Sequence, residues 1–191
     1  KDIYHKSSEY IALFTVVSVL LIAVAPDLIQ IMSDEEYWAA KDVVTVLLWG
    51  NYFSFLYLGI VHYEYYYNKT YLVLVGTVFS AILNVVLNYY TIPLYGYMAA
   101  AYTTLASYIL NFLFHYVIIF LMYKHQALNI PRTLLYVSFT ILAGWVSLLY
   151  QNEYLFRFGV ALIIALSIYK MNYVSANMQW QELLTRYKRR G

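Results

Sequence analysis

From Thr70 to Tyr123 the chain runs for 54 residues without an aspartate, glutamate, lysine or arginine. Such a stretch cannot present a water-facing surface, and it is too long for one bilayer crossing, which takes about 20 apolar residues. It fits two crossings, with Ile92-Pro93-Leu94-Tyr95-Gly96 as the punctuation between them. The other charge-free intervals repeat the pattern. Tyr10–Pro26, Val43–Tyr63 and Thr133–Asn152 each approach the length of a span. A last one, Tyr154–Tyr169, is interrupted only by Arg157, whose long side chain is expected to snorkel to the interface. Six helices are expected, at about 9–31, 38–66, 70–92, 97–123, 132–150 and 154–171. A membrane β-barrel would alternate apolar and polar residues, whereas Val16–Ala25 and Val117–Met122 are apolar at consecutive positions. The expected fold class is an all-α integral membrane protein.

Composition agrees. The 191 residues are 63% apolar and 12% charged, against roughly 45–50% and about 25% in soluble domains. That balance excludes a disordered chain, a nucleic-acid binder and a conventional cytosolic enzyme. The absence of cysteine excludes disulfides, zinc-thiolate sites and a cysteine nucleophile. The first residue is Lys1 and the first methionine Met32, so a piece of a longer protein is expected.

Orientation follows from the basic residues. With six spans, Lys1, Lys6, Lys69, Lys124, Arg132, Lys170, Arg186, Lys188, Arg189 and Arg190 share one side, leaving only Lys41 and Arg157 on the other. Asp27, Asp34, Glu35, Glu36 and Asp42 fall on that second side. The positive-inside rule then places both ends in the cytoplasm.

No charge is expected at mid-membrane, so attention moves to neutral polar groups. In the third helix Thr77, Ala81, Asn84, Asn88 and Thr91 share a face, and in the fourth Ala100, Thr104, Ser107, Asn111 and His115 do the same. The second helix contributes Asn51 and Ser54. An amide cannot be left facing lipid cheaply. These stripes are therefore either helix–helix seams or the lining of a hydrated cavity that meets a polar substrate. The cavity candidates are Asn84, Asn88, Thr104, Ser107, Asn111 and His115. At the end of the second helix, His62 and Glu64 sit in a tyrosine-rich segment, Val61–Lys69. Their two-residue spacing points them to different helix faces, which is not metal-pair geometry. Glu64 is either an interfacial carboxylate bonded to tyrosines or, with His62, an inner gate. The tyrosines at predicted span ends, among them Tyr10, Tyr37, Tyr65, Tyr89 and Tyr150, suit interfacial belts. Residues 172–191 read as a basic amphipathic helix on an anionic cytoplasmic leaflet. No phosphate loop, GxSxG elbow or HExxH occurs, which makes an enzyme the poorer class and calls for no cofactor.

The stretch from Asn84 to Tyr108 holds Asn84-Val85-Val86-Leu87-Asn88, then Ile92-Pro93-Leu94-Tyr95-Gly96, then Ala99-Ala100-Ala101-Tyr102-Thr103-Thr104 and Ser107-Tyr108. It resembles the C-terminal part of polysaccharide biosynthesis flippases, the Wzx-type O-antigen, capsule and exopolysaccharide translocases, with Met98 a departure among the small positions. Ala25–Ile29 with Glu36–Ala40, and Glu64–Thr70, resemble that family's outer and inner loops, so the likeness covers about 10–123. The resemblance implies membership of the superfamily that includes multidrug exporters and lipid II flippases. It implies two lobes of six helices that alternate access to a central cavity. The cargo would be an undecaprenyl-diphosphate-linked oligosaccharide crossing the bacterial inner membrane. By that comparison residues 1–125 are four helices of the C-terminal lobe, 126–171 are two accessory helices and 172–191 a cytoplasmic tail. The N-terminal lobe, membrane lipids and a polysaccharide polymerase are the implied partners, and the cations for the diphosphate are expected in that other lobe. A cation-coupled drug exporter and a non-transporting scaffold for polysaccharide assembly stay open as alternatives.

Overall fold

The structure is a computed structural model that describes residues 2–123 and 128–188, with side chains placed for 8–122 and 128–174. Among these residues there are six long helices, α1 (Asp2–Met32), α2 (Ala40–Tyr66), α3 (Thr70–Tyr95), α4 (Tyr97–Tyr123), α5 (Ile130–Leu149) and α6 (Tyr154–Lys188), and one 3-10 turn at Glu35–Tyr37. All six contain a segment long and apolar enough to cross a bilayer. The chain is an all-helical, multi-pass membrane protein. Lys1, Lys124, Arg189 and Arg190, used above for orientation, lie outside the described residues.

The helices fall into two groups joined through α1 and α2. On one side α4 packs along α2 and α3; on the other, α5 and α6 pack on α1, and α5 also reaches α2. The α5 face that does this is built from Thr133, Tyr136, Thr140, Ala143, Gly144 and Ser147, all buried. Gly144 is required there. A Cβ at that position would lie 2.3 Å from Trp49 Cζ2, and the Trp49 indole donates to Thr140 O at 3.0 Å. The core between the groups is apolar, with Val19, Ile22, Leu56, Ile60, Ile119 and Ile168 fully buried. Tyr52 joins it because its hydroxyl meets Thr15 Oγ1 at 2.8 Å. Thr15 spends its own proton on Ile11 O, so Tyr52 is the donor.

Two turns set the geometry of the first group. Between α2 and α3, Asn68 takes a left-handed conformation, with φ 54°. Lys69 N–H donates to Glu64 O at 2.8 Å and Asn68 N–H to Tyr65 O at 3.0 Å, which is a Schellman cap with Asn in the position that tolerates positive φ. Between α3 and α4 the connection is one residue, Gly96, at φ 70° and ψ −163°, a region open only to glycine. The helix runs through Pro93 to Tyr95, so the expected five-residue punctuation contracts to this single turn.

Two further expectations change. Arg157 does not snorkel: it is 1% exposed, with Nη2 bidentate on Asp27 at 2.7 and 2.9 Å. The cause lies in α1. Pro26 has no N–H to give Ile22 O, and Ser147 Oγ of α5 donates to that carbonyl instead, at 2.9 Å. The next carbonyl, Ala23 O, takes Arg157 Nη1 at 2.6 Å. The turn of α1 before Pro26 thus takes side-chain donors from two other helices, and the proline itself accounts for the one on Ile22 O. The second change concerns α6, which passes residue 172 without interruption and continues to Lys188. No glycine or proline occurs from 160 to 190 to end it. The side chains of the basic tail lie outside the described residues.

Candidate functional site

The polar stripes of α3 and α4 face one another. Ser80 Oγ donates to Ser107 O at 3.0 Å, and Asn84 Nδ2 reaches Thr104 Oγ1 at 3.4 Å. Asn88 Nδ2 donates to Asn84 Oδ1 at 3.0 Å, and Thr103 donates to Asn88 Oδ1. Asn84, Asn88, Thr104 and Ser107 are therefore brought together as rungs of one ladder, which runs toward the Gly96 turn. Asn84, Asn88 and Thr104 remain half-buried, so the ladder has one open flank. Next to it, Val85, Asn88, Tyr89, Tyr90, Ile92, Pro93 and Leu94 line an open depression of about 720 Å³.

Asn111 and His115 belong to a different place. They lie toward the other end of α4, where His115 Nδ1 is 2.6 Å from Glu64 Oε1 of α2. Both side chains are fully buried. Glu64 is thus not the interfacial carboxylate bonded to tyrosines that its aromatic neighbours suggest, and His115 is not a lone imidazole. Charged chemistry does enter the spans. The Schellman cap holds the Glu64 backbone, and the α2–α4 packing turns its side chain inward. His115 reaches it because α3 presents Gly76: a Cβ there would fall 2.2 Å from His115 Nε2 and 2.9 Å from Phe114 Cδ1. Tyr57 packs its ring 4.8 Å from the imidazole, centroid to centroid, and its hydroxyl meets Thr77 Oγ1 at 3.3 Å. Glu64 Oε2, His115 Nε2 and Asn111 Oδ1 are buried without a hydrogen-bond partner among the described residues.

Comparison with protein-family models, with curated proteins and with solved structures finds no match. The site has to be read from its own chemistry.

His62 stands apart from Glu64. It is exposed and turns Nδ1 to Leu58 O at 2.6 Å, so the two do not form one gate. It shares an outward stripe of α2 with Asn51, half-buried Ser54 and Leu58, at helical spacing. Asn51 and His62 are thus polar groups that a membrane helix points away from its own bundle. Among the described residues no cluster of three acidic, histidine or cysteine side chains is placed to hold a metal ion.

The Glu64–His115 pair had a sequence signal only in part. A carboxylate near a span end and a histidine within another span are each visible, but their partnership spans 51 positions and depends on how α2 and α4 register. The Ser147 contact had a better signal: a proline within a span leaves a carbonyl, here Ile22 O, that needs a donor from elsewhere.

Proposed function

We propose that this chain is part of a flippase that moves an undecaprenyl-diphosphate-linked oligosaccharide across a bacterial inner membrane for surface polysaccharide assembly, with its ends in the cytoplasm. The observation that carries this reading is the outward stripe of α2. A helix that exposes Asn51 and His62 has to meet water, sugar or another polar surface at that face, because hydrocarbon satisfies neither group. The half-buried flank of the Asn84–Asn88–Thr104 ladder adds amides and hydroxyls of the kind that hydrogen-bond sugars. The likeness of residues 84–108 to the polysaccharide flippases falls on this same hairpin, and the lysine and arginine distribution supports the orientation. An N-terminal lobe, outside this chain, would complete the cavity and supply cations for the diphosphate.

The test is genetic and biochemical together. A strain lacking the protein loses surface polysaccharide and accumulates lipid-linked repeats in the inner leaflet; normal polysaccharide ends the reading. A second reading, a cation-coupled exporter of small toxic compounds, is favoured by one observation, the buried carboxylate Glu64. It predicts drug hypersensitivity in the same strain with polysaccharide unchanged.

A further inference from the structure

We infer that Glu64 and His115 form a proton-binding site that, when loaded, locks α2, α3 and α4 together. The geometry leads there through charge. With a neutral imidazole donating from Nδ1 to an ionised Glu64, the pair carries one net negative charge in a fully buried setting. Among the described residues no lysine or arginine forms an ion pair with Glu64: Arg157 is held by Asp27, Lys41 lies over Trp38 and Lys69 over Tyr71. A buried, uncompensated anion is the arrangement that proteins avoid. One added proton makes the pair neutral overall. It has two seats, His115 Nε2, giving an imidazolium–carboxylate pair, or Glu64 Oε2, giving a carboxyl group beside a neutral imidazole. Both are buried atoms that lack a hydrogen-bond partner among the described residues.

Loading is tied to packing because of what surrounds the pair. From α3 Gly76 approaches His115, and from α4 Phe114 packs on its ring; neither titrates. Tyr57 of α2 is a titratable side chain against the imidazole. The unloaded anion is tolerable only where water reaches it, and water reaches it only if α3 withdraws Gly76 from His115 or α4 withdraws from α2. Proton release and separation of these helices are then one event. The site deepens the transport reading by naming the proton as the ion that biases the two arrangements, but it stands on the pair itself whatever the cargo.

The experiment uses the full chain in detergent micelles. If folding takes up the proposed proton, thermal stability should fall as pH is raised from about 6 to about 9, across and beyond the ordinary imidazole range. Glu64→Gln should remove most of that fall. Replacing choline with sodium at constant ionic strength should change nothing. An equal pH slope in Glu64→Gln overturns the proposal, and so does sodium-dependent stabilisation at high pH, which would assign Glu64 Oε2 to a metal cation. If the variant does not fold, hydrogen exchange on the unmutated chain decides. Amides of α4 around His115 should lose at least tenfold more protection than those of α5 between the two pH values, after correction for intrinsic rates; equal loss overturns the proposal. A chain that keeps this response yet moves no oligosaccharide defeats only the transport reading.

Discussion

Three side chains decide how this bundle is held: Arg157, Ser147 and His115. Arg157→Met leaves the Asp27 carboxylate without its bidentate partner and Ala23 O without its donor. Losing one member of a buried pair costs about 3–5 kcal/mol. Asp27 is 31% exposed and recovers part of that from solvent, so a loss of about 1–3 kcal/mol is expected in a denaturation series. Neutralising both partners as Arg157→Met with Asp27→Asn should recover part of it. Gly76→Ala makes a separate prediction. The new methyl and the imidazole cannot share the space 2.2 Å from Nε2, so His115 must leave Glu64 or α3 must leave α4, at about 1–3 kcal/mol for overpacking. The variant should also show a weaker pH response than the unmutated chain. At this scale the sequence was least legible. Arg157 sits near the start of a span, where local reasoning sends a long side chain outward. What holds it inward is the Ala23 carbonyl and the Asp27 carboxylate, 134 and 130 positions earlier.

The elements were far more legible, because a charge inside hydrocarbon is expensive enough to mark most span boundaries, and proline with glycine marks the one between α3 and α4. The charge-free intervals match six helices, and the fourth falls on Tyr97–Tyr123 as expected. The departures have identifiable physical causes. Pro93 does not end α3, since a membrane helix can carry a proline when its freed carbonyl faces a partner or water. Gly96 alone makes the turn, with a backbone conformation that needs the missing Cβ. Gly96→Ala should therefore destabilise the α3–α4 hairpin by about 1–3 kcal/mol. Circular dichroism should still report a helical chain, and limited proteolysis should find a new cut near residue 96. The ladder on the same hairpin is more forgiving. Asn84→Leu or Thr104→Val should each cost near the ~0.6 kcal/mol average for an interhelical hydrogen bond in a membrane protein.

For the molecule as a whole, the question is which faces meet lipid. The chain has no cysteine, so single-cysteine variants report without background. Asn51→Cys should react with a water-soluble thiol reagent in native membranes, because its face is proposed to border a hydrated space. Asn88→Cys should react more slowly, since Asn88 is tied into the ladder. Asn111→Cys should react only at high pH, when the helices around Glu64 part. If none of the three labels under any condition, the stripes are seams and the hydrated path is lost. The sequence could pose this choice but not make it, because a stripe of amides looks the same whether it faces a neighbouring helix or water.

The unbroken course of α6 has a mechanical meaning. Its 35 residues span about 52 Å at 1.5 Å per residue, against about 30 Å of hydrocarbon. About 20 Å of helix is left over, and no residue in it favours a bend. Whatever the far end touches is joined to the bilayer by a stiff mast rather than a tether, so a tilt of α6 inside the membrane would be delivered outside it as a sideways stroke.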